Sequence, residues 1–250
     1  MKIKTITTWW HETDNLIIRD VPVSSTIIEM GEQLIIIDTG MVGNDQLLEE
    51  LEQFGYTPQD FTTVINTHLH CDHIGGNRNF SNARILISRQ ELEYEAVFAQ
   101  TLRDSNDPVT ALQALGRNID ESYAKTAWDV KQAQEEWPAS LLVGDAAQIE
   151  FLEDNPVLPA ELSLIKVPGH SIDSRAVVVK GSLNHAVITG DAFYHRDLWP
   201  VTITGINYDD NLFKQNAERL AHFPGIIIPG HDHAFDNSNG KYIIEDTFEL

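Results

Sequence analysis

Over the first forty residues, apolar and polar positions form short runs rich in Ile, Val and Thr, a pattern typical of β-strands. Turn signals such as Asp14-Asn15 separate these runs, which predict strands at residues 3–9, 16–21, 24–29 and 33–38. Asn44 then stands where it can cap a helix of about ten residues. The apolar residues that recur there at helical spacing are Leu47, Leu48, Leu51 and Phe54.

Apolar runs that end at polar turns predict the remaining strands. They cover residues 63–67, 85–88, 147–151, 162–167, 176–180, 185–189 and 226–228. Apolar residues at helical spacing predict helices at 90–100 and 210–222. Because the strands form two groups, each followed by helices, we expect two sheets packed face to face with helices outside, a layered α/β architecture.

Residues 101–140 are polar and helical in pattern, with no strand signal and with Pro108 and Pro138 as breaks. No repeat or flexible linker marks a domain boundary, so we predict a single domain over residues 1–250 with a helical insert at 101–140. Three aromatic residues of the insert could line an apolar pocket beside the site; the alternative is a solvated helical insert. These residues are Tyr123, Trp128 and Trp137.

Composition excludes several classes of protein. Apolar residues make up 42% of the 250 residues, and no apolar run approaches the roughly 18 residues of a membrane span. The N-terminal residues show no signal-peptide pattern, so a cytoplasmic protein is expected. Cys71 is the single cysteine, which excludes an intrachain disulfide and a cysteine-rich zinc finger. The net charge of −21 disfavours nucleic acid as a partner.

The sharpest chemical signal is the run His68-x-His70-x-Asp72-His73, which directly follows the strand predicted at 63–67. At the end of a strand His68 and His70 point to the same side, because side chains alternate with a period of two. Asp72 and His73 then lie on the turn that follows, where they can reach a second, adjacent position. The run therefore predicts a metal site, and the alternative is a histidine-rich surface turn.

Three further candidate ligands each follow an apolar strand and a glycine: His170, Asp191 and His231. Strand ends at one edge of a sheet are where α/β enzymes gather functional groups, and a glycine before the ligand leaves room for a metal. Each would be an ordinary loop residue if it stood alone. Together with the histidine run they predict one site.

The order of these motifs resembles the metallo-β-lactamase superfamily. Asp38-Thr39-Gly40 after the strand at 33–38 also matches that family's early motif, and the matches run from about residue 24 to residue 233. The resemblance implies a four-layer αβ/βα sandwich of two packed mixed sheets with helices on the outer faces. Residues 101–140 have no counterpart among the motifs.

The resemblance also implies a ligand set for two divalent metal ions. His68, His70 and His170 would hold one ion, Asp72, His73 and His231 the other, and Asp191 would bridge them. Imidazole and carboxylate ligands suit Zn²⁺, with Mn²⁺ or Fe²⁺ as alternatives. A hydroxide shared by the ions would attack an acyl or phosphoryl centre.

Three residues near these ligands receive secondary roles. Asp72 is the expected proton carrier to the leaving group. Asp38 is expected to orient a ligand histidine rather than bind metal itself. Cys71, although it lies inside the histidine run, is expected to be a packing residue.

The superfamily includes β-lactamases, thioesterases, lactonases and nucleases, so the fold leaves the substrate open. Oxygen-reducing diiron members carry an acidic residue where this chain has His70, and we set them aside. Tyr194 stands three positions after Asp191, where N-acyl homoserine lactonases place a tyrosine that hydrogen-bonds the substrate carbonyl. This similarity favours hydrolysis of a small lactone or ester; the alternative for Tyr194 is a packing residue beside Phe193.

One departure weakens the comparison with lactonases: residues 170–175 read His-Ser-Ile-Asp-Ser-Arg rather than repeating a Gly-His pair. Phosphodiesterase or nuclease, thioesterase and β-lactamase activities stay open as alternatives. A non-catalytic metal-binding scaffold is the alternative from another class. The expected partner is a small-molecule substrate without a membrane, and a homo-oligomer is compatible with the sequence.

Overall fold

The structure, a computed structural model, describes residues 1–14, 17–199 and 206–250. Its strands are β1 Lys2–Asp14, β2 Ile17–Met30, β3 Gln33–Ile37, β4 Thr63–Ile65, β5 Arg84–Ile87, β6 Ile149–Phe151, β7 Leu162–Lys166, β8 Arg175–Lys180, β9 His185–Gly190, β10 Ile226–Pro229, β11 Phe235–Asp236, β12 Lys241–Tyr242 and β13 Thr247–Glu249. Its α-helices are α1 Gln46–Gln53, α2 Cys71–Ile74, α3 Arg89–Asp104, α4 Pro108–Ala114, α5 Ala124–Glu136, α6 Ala139–Leu142 and α7 Asp210–Ala221.

The strands form two mixed sheets. The first has the order β13-β1-β2-β3-β4-β5-β6, antiparallel from β13 to β3 and parallel from β3 to β6. The second has the order β12-β11-β10-β9-β8-β7, in which only β9 and β10 are parallel. The parallel pairs of both sheets bring the carboxyl ends of several strands together, and this is the edge at which the candidate ligands lie.

Three apolar clusters hold the layers together. Between the sheets, buried residues of the first sheet such as Ile35 and Ile65 pack with Val177 and Ile228 of the second. Outside the first sheet, a second cluster combines strand residues with helix and loop residues, among them Leu51, Phe61 and Phe80. Outside the second sheet, α7 packs through Ala217 and Leu220. The predicted four-layer sandwich is therefore confirmed.

The hairpin of β1 and β2 corrects the prediction of separate strands at 16–21 and 24–29. Both belong to β2, although Leu16 lies outside the described residues. Pro22 is accommodated there because it pairs only with Trp9 of β1, whereas β3 joins β2 from Thr26 onward. The hairpin thus extends past the end of β3 and forms an arm beside the candidate site.

Two local predictions were wrong. Helix α1 begins at Gln46 with Asp45 at the N-cap, and Asn44 accepts instead from the backbone N of Gln46 at 2.9 Å. The turn expected around Asp72 is the short helix α2. The short strands β11, β12 and β13 were not predicted, because a run of two or three residues is too short to show an alternation of apolar and polar positions.

The segment at 101–140 is helical, as its pattern predicts, and forms the end of α3, all of α4 and α5, and the start of α6. It packs through its own apolar cluster, to which Phe98, Leu112 and Ala127 belong. Tyr123 is 37% exposed and Trp128 51% exposed, while Trp137 packs in the cluster outside the first sheet. Trp137 therefore serves the core, and substrate contacts of Tyr123 and Trp128 stay a prediction.

Across the described ranges, no helix combines the length and the apolar character needed to cross a bilayer.

Candidate metal centre

The local fold places each predicted ligand at the end of a strand. β4 leads through Asn66 and Thr67 to His68, and α2 then carries Asp72 and His73 within one turn. His170 follows β7. Asp191 comes directly after β9, and His231 follows β10 after the single residue Gly230. The structure brings all seven predicted side chains together in three overlapping groups, of which the group of His68, His73 and Asp191 joins the other two.

The first group consists of His68, His70 and His170, whose candidate ligand atoms lie within 4.8 Å of one another. His170 Nε2 is 3.0 Å from His70 Nδ1. The second group consists of Asp72, His73 and His231, and meets the same limit. His231 Nε2 lies 3.4 Å from His73 Nε2 and 3.5 Å from Asp72 Oδ2.

Asp191 lies between the two groups. Its Oδ1 is 3.0 Å from His73 Nε2, in the second group. Its Oδ2 is 3.3 Å from His170 Nε2, in the first, and 3.2 Å from His231 Nε2, in the second. One carboxylate thus faces both groups, which is the placement that a bridging ligand requires.

Two buried atoms test whether this arrangement suits metal ions. Among the described residues, His68 Nε2 is buried without a hydrogen-bond partner, and the buried Asp191 Oδ1 meets only imidazole nitrogens, those of His73 at 3.0 Å and His231 at 3.2 Å. A buried polar group left unpaired costs about 1–3 kcal/mol, so such atoms need an explanation. Both belong to groups of nitrogen and oxygen atoms that converge, and a cation placed there would satisfy them. The residues fit two divalent metal ions.

The protonation states also suit a metal. Burial lowers the pKa of His70 to about 3 and lowers those of His68 and His170, so these imidazoles are neutral at pH 7 and offer a lone pair. Burial would raise the pKa of Asp191, but His231, His73 and His170 outweigh it and hold the pKa well below its usual range. Asp191 is therefore a carboxylate.

His73 behaves differently from the other histidines. Burial acts against its protonation, but the carboxylates of Asp191, Asp72 and Asp38 outweigh burial and raise the pKa of His73 well above its ordinary value. In the metal-free protein His73 is therefore protonated, and its positive charge is stabilised by these three carboxylates. A metal ion would take over that charge.

A second layer of residues orients the histidines. Asp38 Oδ2 accepts from His73 Nδ1 at 2.8 Å, while its Oδ1 accepts from the backbone N of Thr67 at 2.8 Å. His231 Nδ1 donates to the Pro22 carbonyl at 2.6 Å, and His170 Nδ1 donates to Asn207 Oδ1 at 3.2 Å. Such contacts fix the ring and its tautomer.

The role expected for Asp38 agrees with this geometry. Asn207, by contrast, was missed, because a polar loop residue 37 positions from His170 carries no sequence signal.

Two glycines beside the ligands allow close approach of neighbouring groups. A Cβ at Gly190 would lie 2.3 Å from Thr67 Oγ1, and one at Gly230 would lie 2.3 Å from Asp191 Oδ1. The space that these glycines leave is therefore taken by residues that hold or form the site. This refines the expectation that the glycines leave room for the metal itself.

Tyr194 contacts a candidate ligand, and Cys71 lies against the apolar core. The Tyr194 ring stacks on His231, with ring centroids 4.0 Å apart. The backbone N of His231 also donates to the Tyr194 carbonyl at 2.9 Å. Cys71 packs against the apolar cluster outside the first sheet, and burial raises the pKa of its thiol to about 12. A protonated, packed thiol is a poor metal ligand.

Known proteins are similar to this chain in sequence and fold. An N-acyl homoserine lactonase of Bacillus cereus is 25% identical over 242 residues, which cover 85% of this chain and 82% of the lactonase. The solved structure of AidC, a dizinc quorum-quenching lactonase, superposes with a TM-score of 0.62 at 20% identity and covers 86% of this chain and 74% of AidC.

An N-acyl homoserine lactone hydrolase with its product bound at the metal centre superposes with a TM-score of 0.63 at 21% identity. That match covers 92% of this chain and 93% of the hydrolase.

These matches confirm two predictions. The solved structures share the fold, and the relatives that match along most of the chain are metal-dependent hydrolases, as expected for this chain. The family model for the metallo-beta-lactamase superfamily matches residues 18–231, from the hairpin arm through the last predicted ligand. The chain belongs to the metallo-beta-lactamase superfamily.

Proposed function

We propose that this chain is a dinuclear metal-dependent hydrolase that opens lactones, or cleaves small carboxylic esters, in the cytoplasm. The observation that carries the proposal is the position of Asp191, whose carboxylate lies within 3.3 Å of ligand nitrogens from both groups, His73 and His231 on one side and His170 on the other. A scaffold that only stores a metal ion does not need a shared carboxylate between two groups. Similarity to N-acyl homoserine lactonases along most of the chain makes lactones the first substrates to test.

The proposed ligand assignment follows the two groups. His68, His70 and His170 hold one ion. Asp72, His73 and His231 hold the other, and Asp191 contacts both. This donor set suits Zn²⁺, with Mn²⁺ or Fe²⁺ as alternatives. When bound, two such ions polarise a substrate carbonyl and lower the pKa of water toward neutrality.

Asp72 is proposed to move the proton. Its side chain is 21% exposed, whereas that of His73 is fully buried, so Asp72 lies at the open side of the ligand cluster. Its Oδ2 lies 3.5 Å from His231 Nε2. Its other oxygen, Oδ1, can then accept a proton from the attacking water and pass it to the alkoxide oxygen that leaves when the lactone ring opens.

Tyr194 is proposed to bind the substrate carbonyl. Because its ring stacks on His231, it is fixed beside the second ligand group. A phenol hydroxyl held there can donate a hydrogen bond to the carbonyl oxygen, which gains negative charge during attack. Tyr194 would thereby orient the substrate and stabilise the oxyanion.

Charge favours a small substrate over a polymer of phosphates. The chain carries 17 Lys and Arg against 38 Asp and Glu. Contact with a long polyanion normally draws on several basic side chains, and the field of this protein opposes it. A neutral lactone meets no such penalty.

A substrate panel tests the proposal. The protein, reconstituted separately with zinc, manganese and iron, is assayed on acyl homoserine lactones, simple aryl esters, a thioester, a β-lactam and a phosphodiester. We expect turnover of lactones or esters that chelation abolishes and metal restores. Efficient phosphodiester cleavage without lactone turnover would favour a nuclease or phosphodiesterase over a lactonase. Metal binding without turnover of any substrate would favour a non-catalytic scaffold.

A further inference from the structure

The loop that carries His170 is held from outside by a buried carboxyl group on α3. Glu91 is 1% exposed, and its Oε1 accepts from Ser171 Oγ at 2.6 Å and from the backbone N of Asp173 at 2.5 Å. Both donors lie within three residues of His170. Glu91 Oε2 is buried without a partner among the described residues. Among the described residues, the hydrogen bonds of this carboxyl are therefore made with the loop.

The other side of His170 is held by the segment before α7. The Tyr208 backbone N donates to the His170 carbonyl at 2.9 Å. The Tyr208 ring in turn packs on Tyr94 of α3, with centroids 5.4 Å apart, and Arg117 of the insert lies 5.1 Å from the ring centre of Tyr208. Helix α3 thus reaches His170 through Glu91 and through Tyr94 and Tyr208, and its N-cap Ser88 also donates to Asp173 Oδ2 of the same loop at 2.7 Å.

This support matters because the loop between β7 and β8 has no regular structure of its own. Inside the loop, the Gly169 N donates to the Ser171 carbonyl and the Val167 N to the Ser174 carbonyl, both at 2.9 Å. These bonds shape a turn but do not fix it against the ligands on the first sheet. A metal ligand needs placement to within about 0.5 Å, which requires such outside contacts.

We propose that Glu91 is a positioning residue for His170, which it acts on through Ser171 and Asp173, and that it thereby sets the metal affinity of the first ligand group. The proposal rests on the metal-binding part of the proposed function and not on the choice of substrate. Since a glutamine keeps the Oε1 acceptor, the amide variant should keep both contacts with the loop.

The matched control is Glu95, one turn further along α3. Glu95 is also buried, at 3% exposure, but its Oε2 accepts from Gln134 of α5 and not from the loop. Removing either carboxyl removes a buried polar group from the same helix. Only the removal of the Glu91 carboxyl should change the metal affinity.

The experiment measures zinc affinity by competition with a chromophoric chelator, together with thermal unfolding, in wild type and in Glu91→Ala, Glu91→Gln and Glu95→Ala. We expect Glu91→Ala to weaken binding of one ion by roughly 10- to 100-fold. Glu91→Gln should stay close to wild type. Glu95→Ala should lower the melting temperature without changing either affinity.

Three results would overturn the proposal: unchanged affinities in Glu91→Ala, an equal loss in Glu95→Ala, or no rescue by glutamine. If Glu91→Ala does not fold, Ser171→Ala replaces it, because it removes one of the two donors on the loop side. Ser171→Ala should then weaken binding of the same ion, and an unchanged affinity in that variant would contradict the proposal. Wild-type protein that binds both ions but cleaves no lactone would refute the proposed substrate alone, whereas wild-type protein that binds no metal would refute both proposals.

Discussion

The aromatic ring of Tyr194 lies flat against the imidazole of His231, with the two planes only 21° apart. His231 belongs to the second ligand group, and its other nitrogen is tied to the Pro22 carbonyl of the hairpin arm. The tyrosine therefore has two separable parts: a ring that covers a ligand and a hydroxyl that is proposed to meet the substrate. Substitutions can remove one part or both.

Tyr194→Phe keeps the ring and removes the hydroxyl. We expect both metals to remain and kcat on the best lactone to fall by a factor on the order of 10², the range for loss of one oxyanion donor. Steady-state kinetics and metal analysis of the same sample check this. Tyr194→Ala should lose the stacking as well and weaken metal binding. A Phe variant with wild-type kcat would exclude a role for the hydroxyl.

Asp191→Asn tests the bridge with almost no change in shape. The amide carries no charge, so two cations would lack the carboxylate between them, and we expect metal content to fall from close to two ions per chain to one or fewer. Plasma mass spectrometry after gel filtration measures the ratio. Cys71→Ser is the control and should keep both ions, because the thiol is packed and protonated. The reverse pattern would show that the ligand set is wrong.

Asp38→Asn addresses the orientation of His73. Asp38 adopts a left-handed conformation with φ of 58°, which asparagine tolerates well, so the backbone should not change. The charge beside His73 Nδ1 is lost, and we expect the second group to bind its ion roughly 10- to 100-fold more weakly. Chelator competition measures this affinity. Unaltered metal binding would show that the contact is not needed for orientation.

Glu95→Gln should change how stability depends on pH. Burial, together with nearby Glu91, raises the pKa of Glu95 from 4.5 to about 8. Between these values the unfolded chain has released the proton and the folded protein still holds it, so folding stability falls as pH rises through this window. Glutamine has no proton to release.

The melting temperature of Glu95→Gln relative to wild type should therefore rise steadily from about pH 5 to about pH 8. Thermal unfolding at fixed zinc concentration measures it. Glu93→Gln, at an exposed position of the same helix, serves as the control. A pH-independent difference between Glu95→Gln and wild type would mean that Glu95 is ionised in the folded protein.

The candidate site could be predicted well because its chemistry follows strand ends. His68, Asp191 and His231 each follow a run of apolar residues that fills a buried strand, and parallel strands deliver their carboxyl ends to one edge. Local patterns thus located residues that are distant in the sequence. The layered architecture followed from the same runs, and the family resemblance supplied the grouping of the ligands.

Residues that act across the fold could not be predicted in this way. Glu91 reads as one polar position of an amphipathic helix, and only the packing of α3 on the loop reveals its contact with Ser171. Asn207 likewise meets His170 through tertiary structure alone. The strand predicted at 16–21 stops before Pro22, since the sequence does not show that β2 has a free edge there.

Gly230 has a consequence for anyone who maps tolerance to mutation in this protein. Any other residue at position 230 would place its Cβ 2.3 Å from Asp191 Oδ1, which is too close for two atoms that are not bonded. A saturation library should therefore return glycine alone at this position. On such a map Gly230 would look like a chemically active residue, although it has no functional group. Its intolerance would report the location of its neighbour's carboxylate.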